Sequence, residues 1–458
     1  MIAHTLSMRL QRRGIHYAWV IVALTFFTGL ASSAALGLPG ALLQPLSKEF
    51  GWGVDQVSSA LAVRFALFGL IGPFAAILME RFGLRNVMVT ALGLICAGSL
   101  LALGMTEFWQ LVLLWGVMLG VGSGMSALVL SAVVSTRWFE TRRGLVVGLL
   151  TASSATGQLI FLPVGALLVE RFGWRMAVVP VLLVCALVAL AVFALMRNRP
   201  SDVGQAPFGA AAPAPDAAAV QPVAAAQPVA AAQLVTAARS AAAASAPVIG
   251  FATPFRVLRE AARSGVFWLL AGSFFICGLS TNGLIQTHFI SLCGDAGMGP
   301  VPAASVLAMM GAFDLIGTIL SGWLSDRYDN RKLLFWYYSL RGLSLLWLPY
   351  SEFTLYGLSL FAMFYGLDWI ATVPPTVRLV ATTFGKEKAG MVFGWIFAAH
   401  QLGAAVAAYG AGQVRTLLLT YNPALLAAGA ACLVAALMVL AVRVQPARAA
   451  APAGAGAV

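Results

Sequence analysis

Long apolar runs separated by short polar turns dominate the chain, and a run of roughly 20 apolar residues suffices to cross a hydrocarbon layer as a helix. On that measure twelve spans are expected, at about 16–39, 54–79, 86–105, 108–132, 144–169, 174–196, 266–290, 302–324, 332–350, 353–378, 389–413 and 422–443. No ten-residue alternation of apolar and polar positions suggests a barrel, and unpaired backbone groups cannot face lipid. The expected fold class is therefore an all-α membrane protein. Basic residues ahead of the first run could pass for a secretory signal, but the equally long spans that follow make it the first transmembrane helix.

The pattern stops over residues 200–252, which are rich in Ala, Pro, Gln and Val. That stretch has neither helical periodicity nor enough large side chains to build a core, and is expected to be a disordered cytoplasmic linker. Thr253-Pro254-Phe255-Arg256-Val257-Leu258-Arg259-Glu260 then combines a helix-start signal with apolar and basic residues on separate faces, which predicts a short helix lying on the inner leaflet. Residues 1–199 thus form one six-helix bundle, residues 253–445 the interfacial helix and a second bundle, and residues 446–458 a disordered tail.

The two halves repeat each other. After span two comes Glu80-Arg81-Phe82-Gly83-Leu84-Arg85; after span eight comes Gly322-Trp323-Leu324-Ser325-Asp326-Arg327-Tyr328-Asp329-Asn330-Arg331-Lys332. Trp138-Phe139-Glu140-Thr141-Arg142-Arg143-Gly144 precedes span five much as Thr383-Phe384-Gly385-Lys386-Glu387-Lys388-Ala389-Gly390 precedes span eleven. Two pseudo-symmetric six-helix bundles are the arrangement of a rocking transporter with its site between the halves. The acidic residues Glu80 and Asp326 stand at helix ends beside Arg81, Arg85, Arg327 and Arg331. Charge-assisted pairs among them would latch neighbouring helices in one conformation; simple retention of positive charge inside is the alternative.

In these features the chain resembles the major facilitator superfamily, whose loop between helices two and three carries G-x-L-x-D-R-x-G-R-[RK]. The second-half copy matches at Gly322, Leu324, Asp326, Arg327, Arg331 and Lys332, with Asp329 in place of the glycine; the first-half copy has Ala76 for the first glycine and Glu80 for the aspartate. The segment Trp138 to Gly148, the turn Glu170-Arg171-Phe172-Gly173-Trp174-Arg175 and the opening His16-Tyr17-Ala18-Trp19 resemble more narrowly the monocarboxylate transporter and oxalate/formate antiporter branch.

Composition agrees: 60% of the 458 residues are hydrophobic and 10% charged, where a soluble domain carries about 25% charged residues. The net charge of +12 would suggest nucleic acid in a soluble protein, but here it is topological. Most Lys and Arg fall on one side of the predicted spans, against Lys48, Arg171, Arg175 and Arg415 opposite, which places both termini in the cytoplasm and leaves the bilayer as the partner. The five cysteines are odd in number and widely spaced, so no disulfide framework or metal site is implied, and no cofactor is expected.

Ionisable groups at membrane depth are costly and usually face a cavity or a partner. Arg64 in span two, Asp314 in span eight, Arg341 in span nine and Asp368 in span ten are such groups. A cavity-facing arginine binds a carboxylate through two parallel hydrogen bonds and stays charged. Arg64 and Arg341 are therefore candidate anion binders, the alternative being a buried structural network with Asp368 or Asp314. Asp314 and Asp368 are the candidate proton carriers, since burial and a nearby cation pull a carboxyl in opposite directions. Asn282 and Gln286 share a face of span seven and, with His400 and Gln401 of span eleven, are candidate substrate contacts.

Phe313-Asp314 is similar to the helix-eight aspartate of monocarboxylate transporters, which in that branch pairs with an arginine one turn later. Thr318 stands there in this chain, so the resemblance leaves Arg64 or Arg341 to supply the positive charge. The lysine that the oxalate/formate branch carries in helix eleven is absent. The expected function is rocker-switch, proton-coupled transport of a small organic anion, a monocarboxylate, by a monomer in a bacterial-type inner membrane. Alternatives are an exporter of amphipathic drugs or metabolites and a membrane sensor that does not transport. No nucleophile motif, metal-ligand cluster or phosphate-binding loop points to an enzyme.

Overall fold

The structure, a computed structural model, describes residues 2–126, 129–210 and 250–443. Its first half contains α1 (Ile2–Gln11), α2 (Ala18–Phe50), α3 (Val54–Phe82) and α4 (Leu84–Ala102). There follow α5 (Phe108–Leu111), a π-helical stretch (Val112–Met118), α6 (Leu119–Met125), α7 (Val129–Trp138), α8 (Arg143–Phe172) and α9 (Trp174–Leu195). The second half contains α10 (Thr253–Ala261), α11 (Gly265–Gly278), a second π-helical stretch (Leu279–Gln286), α12 (Thr287–Asp295) and α13 (Pro300–Ser325). It ends with α14 (Asn330–Trp347), α15 (Ser359–Asp368), α16 (Val373–Phe384), α17 (Lys386–Leu418) and α18 (Asn422–Leu440).

Among the described residues nine helical runs are long and apolar enough to cross a membrane. They coincide with nine of the expected spans. The other three fall on α8, on α14, and on α15 with α16. Of these, α14 carries Arg331, Lys332 and Arg341 within 18 residues, and the last expected span is broken into two helices.

Local chemistry sets the helix ends. Gly83, Gly173 and Gly385 have φ of 84°, 83° and 84°, and each follows a phenylalanine and joins two helices through a single residue. With ψ of 145°, 169° and 150° they occupy a region open essentially to glycine alone, where a side-chain-bearing residue would cost about 1–3 kcal/mol. Between α13 and α14 the motif glycine is replaced by Asp329. It stays extended, and its carboxylate caps α14 by accepting the Arg331 N–H at 2.9 Å.

Gly116, Gly120 and Gly124 all face α3: Gly116 meets Ala60 and Val63, Gly120 the backbone of Arg64, and Gly124 Phe68 and Ile71. Without side chains at these positions the two helices approach to backbone contact.

The halves meet along antiparallel seams. At one end of the α3–α17 seam, Asp55 accepts from Gln413 Nε2 and Thr416 Oγ1, both at 3.1 Å. Further along, Phe65 packs with Ala404 and Ala408, Gly69 lies against Gln401, and Phe68 meets Phe397 at 5.6 Å between ring centroids. At the other end, beside the arginine-rich turns, Phe74 meets Trp395 at 6.0 Å. Gly40 of α2 lies against the backbone of Gln286 and Thr287, and Leu162 and Ala166 of α8 share a core with Val306 and Met310 of α13. The halves are therefore in contact at both ends of the α3–α17 seam in this conformation.

The first unit extends beyond residue 199. Pro200–Val203 form a 3-10 turn, and Phe208 N–H donates to Trp138 O at 2.8 Å while its carbonyl accepts from Glu140 N–H at 2.9 Å. The Phe208 ring packs on Trp19 and Phe139. Phe208, together with Gln205, which accepts the Tyr17 N–H at 3.1 Å, and Asp202, which accepts the Asn198 and Arg199 N–H groups at 3.0 Å, anchors residues 200–210, which an average over the stretch conceals. Residues 211–249 and the tail 446–458 lie outside the described residues. The helix expected at Thr253 is α10, but its apolar face is taken up by the protein: Val257 and Ala261 join a core with Leu379 and Val392.

Candidate functional site

Among the described residues Arg64, Asp314, Arg341 and Asp368 sit buried within the helical bundle, and the tertiary structure divides them unequally. Arg341 of α14 is bound on every nitrogen. Its Nε donates to Asp368 Oδ2 at 2.6 Å, Nη1 to Cys277 Sγ at 2.8 Å, and Nη2 to the carbonyls of Asp368 and Trp369 at 2.5 and 3.3 Å. Arg341 and Asp368, expected as substrate and proton groups, are thus locked to each other between helices of one half.

The pairing has a local cause. Pro374 and Pro375 at the start of α16 lack N–H donors, so the preceding turn cannot continue as a helix, and the chain unwinds between Asp368 and Val373. Side chains from neighbouring helices satisfy the freed backbone groups. Ser321 Oγ donates to Ala371 O at 2.5 Å, Arg341 takes the carbonyls of Asp368 and Trp369, and Asp314 Oδ1 accepts the Ile370 N–H at 2.9 Å. Thr318 Oγ1, where the resemblance called for an arginine, donates to the same Asp314 oxygen at 3.1 Å. Among the described residues no cation forms an ion pair with Asp314, which is 4% exposed.

Arg64 is different. It is 1% exposed, lies over its neighbour Phe65 with 4.7 Å from Cζ to the ring centroid, and its Nε and Nη1 have no hydrogen-bond partner. On α17, Gln401 Oε1 and His400 Nδ1 are likewise buried without partners, and His400 stacks on Phe397. His288, by contrast, is satisfied on both nitrogens, by Ala408 O at 2.8 Å and Tyr421 Oη at 3.3 Å. Asn282 and Gln286 lie in the π-helical stretch of the seventh span, where four residues fall just short of one turn, so they keep a common face.

The acid–arginine pairs at the basic end form with partners other than those expected. Glu80 pairs with Arg137 of α7 at 2.7 Å, and Asp326 with Arg378 of α16. Each acid at the end of a half's second span therefore meets an arginine in that half's fourth. The neighbouring loop arginines project elsewhere: Arg81 over Phe82 and Phe251, Arg85 over Phe193, and Arg327 over Trp323. Arg331 makes two bonds to Asp329, at 3.1 and 2.7 Å. Successive residues on a helix point about 100° apart, so sequence neighbours are poor ion-pair partners, whereas a helix packed alongside presents its arginine directly. In the sequence Arg137 and Arg378 counted only as basic residues of the cytoplasmic side, and not as partners of the acids. Their signal was positional, one arginine near the basic end of the fourth span in each half.

Several comparisons bear on this architecture. The chain is 23% identical over 407 residues to the uncharacterized MFS-type transporter YcxA of Bacillus subtilis (strain 168), covering 86% of this chain and 87% of that protein. It is 24% identical over 417 residues to monocarboxylate transporter 13 of Bos taurus, covering 90% and 86% respectively. Over 162 residues it is 33% identical to monocarboxylate transporter 3 of Mus musculus, covering 35% of this chain and 32% of that one. The crystal structure of a D-xylose-proton symporter superposes with a TM-score of 0.69 at 14% identity, over 93% of this chain and 98% of that one, which establishes the fold. The profile of the Major Facilitator Superfamily matches residues 22–408, and the chain belongs to that family of membrane transporters.

Proposed function

We propose that the protein carries a small monocarboxylate together with a proton across a bacterial-type inner membrane, with both termini and the arginine-rich turns in the cytoplasm. The observation that carries this reading is Arg64, a buried guanidinium with two unpartnered nitrogens. Leaving a buried charge uncompensated is expensive, and a carboxylate entering between the halves would supply the missing charge through charge-assisted hydrogen bonds. The similarity to proteins named monocarboxylate transporters supports the same substrate class.

Asp314 is the proposed proton carrier. Arg341 already neutralises Asp368, which leaves Asp314 as the buried carboxyl with no ion-pair partner among the described residues, and a proton on its second oxygen would discharge it. In the proposed cycle the Asp55 contacts with Gln413 and Thr416 part to admit anion and proton from outside. They then re-form while the Phe74–Trp395 end opens to the cytoplasm.

Uptake of labelled carboxylates into proteoliposomes tests this. An inward proton gradient is expected to drive accumulation, and Arg64→Gln to lower it about 10- to 100-fold. Accumulation by Arg64→Gln at the wild-type rate would remove Arg64 as the anchor, and indifference to the gradient would remove the proton.

A further inference from the structure

We infer that the outward arginines of α10 and of the turn that follows it are a docking surface for anionic phospholipid headgroups at the basic end of the bundle. Arg256, Arg259 and Arg263 recur at helical spacing and are exposed, on the side of the helix opposite the buried Pro254, Val257 and Ala261.

The helix cannot roll to hide them. Trp395 Nε1 donates to Pro254 O at 3.0 Å, and the Phe255 ring lies between Phe74 and Trp395 at 5.3 and 5.9 Å. Lys388 Nζ pairs with Glu260 at 2.5 Å. Phe74 belongs to the first half and Trp395 to the second, so α10 is pinned across the seam between them.

The chain holds little negative charge to offer this row. Glu260, the acidic residue of α10, faces Lys388 as well as Arg256 and Arg263. Glu80, Asp326 and Asp329 at the same end are engaged by Arg137, Arg378 and Arg331. Residues 211–249 contain a single acidic residue, Asp216, balanced by Arg239, and residues 444–458 contain none. Among the described residues no acid forms an ion pair with Arg256, Arg259 or Arg263, which leaves the row open to an anion from outside the chain.

Position selects its source. Arg263 stands two residues before α11 begins, and Trp268 in the first turn of α11 is 60% exposed with its indole N–H on Ala262 O at 2.8 Å. A half-polar aromatic at a span end marks the depth of the headgroups, so the arginine row lies where lipid phosphates are. Near an anionic surface each arginine contributes about a fivefold preference.

The test uses the full chain in phosphatidylcholine nanodiscs that contain a photoactivatable phosphatidylglycerol or, in a parallel sample, a phosphatidylcholine carrying the same headgroup label, with cross-linked peptides mapped. Phosphatidylglycerol is expected to label residues 253–268 several-fold more than phosphatidylcholine, with free glycerophosphate unable to compete. Arg256→Gln, Arg259→Gln and Arg263→Gln together should remove that excess, and the corresponding triple lysine variant should keep it. Equal labelling by the two lipids, full competition by glycerophosphate, an unchanged excess in the glutamine variant or its loss in the lysine variant would each overturn the proposal. No transport is measured, so the outcome is independent of the substrate assignment.

Discussion

Arg341 Nε donates to Asp368 Oδ2 at 2.6 Å, where both side chains are almost wholly out of solvent, and the same guanidinium holds the Asp368 and Trp369 carbonyls. One residue thus neutralises a carboxylate and braces the unwound turn that Pro374 and Pro375 impose. Removing either partner strands a buried charge at a cost of about 3–5 kcal/mol, whereas removing both is far cheaper. Arg341→Met and Asp368→Asn are therefore each expected to lower the melting temperature sharply in detergent. The double variant should recover the part of the loss that the stranded charge causes, as a thermal-shift double-mutant cycle would show.

Arg64 should behave in the opposite way. Its Nε and Nη1 have no partner to strand, so Arg64→Met is expected to leave the melting temperature unchanged or raise it. Carboxylate uptake by the same variant should fall about 10- to 100-fold, the worth of hydrogen bonds to a charged group. A large stability loss without an uptake defect would make Arg64 structural.

Phe74 and Trp395 close the seam between the halves at the basic end. Alternating access requires that end to open. Phe74→Cys combined with Trp395→Cys, joined by a short reducible cross-linker, is expected to stop uptake, with recovery on reduction. Each single variant treated identically controls for the five native cysteines. Undiminished uptake by the cross-linked protein would show that the seam does not part.

Lys388 holds the Glu260 carboxyl below its ordinary value of 4.5, first by hydrogen bonding and then through its charge. For a group depressed in the folded state, the contribution to docking α10 is complete above the ordinary value and is lost only as the pH falls through the depressed one. Glu260→Gln is accordingly expected to leave the pH profile of uptake between about 5 and 8 unmoved. A shift of the profile within that window would implicate α10 in proton coupling.

The helical architecture was readable in advance because apolar length is a property of consecutive residues. The glycine-and-phenylalanine turns at Gly83, Gly173 and Gly385 were equally legible, because a positive φ selects glycine locally. Ion-pair partners were not. Glu80 and Asp326 were visible as acids awaiting a cation, but whether Arg81 or Arg137 would meet Glu80 depended on which helix packs alongside α3. The same holds for His288 and His400, alike in sequence as lone histidines within spans: one is satisfied on both nitrogens, and the other keeps Nδ1 unpartnered.

By itself the sequence determined that this chain lives in a bilayer, that it repeats, and that it carries Arg64, Asp314, Arg341 and Asp368 at membrane depth, because hydrophobicity and charge are additive along a chain. Which of those four are spent on one another was decided only by tertiary structure. The prolines of α16 free backbone groups that Arg341, Ser321 and Asp314 then satisfy from other helices. Arg64 remains the uncompensated cation of the set because the glycine face of α6 presses α3 close and offers its guanidinium no acid.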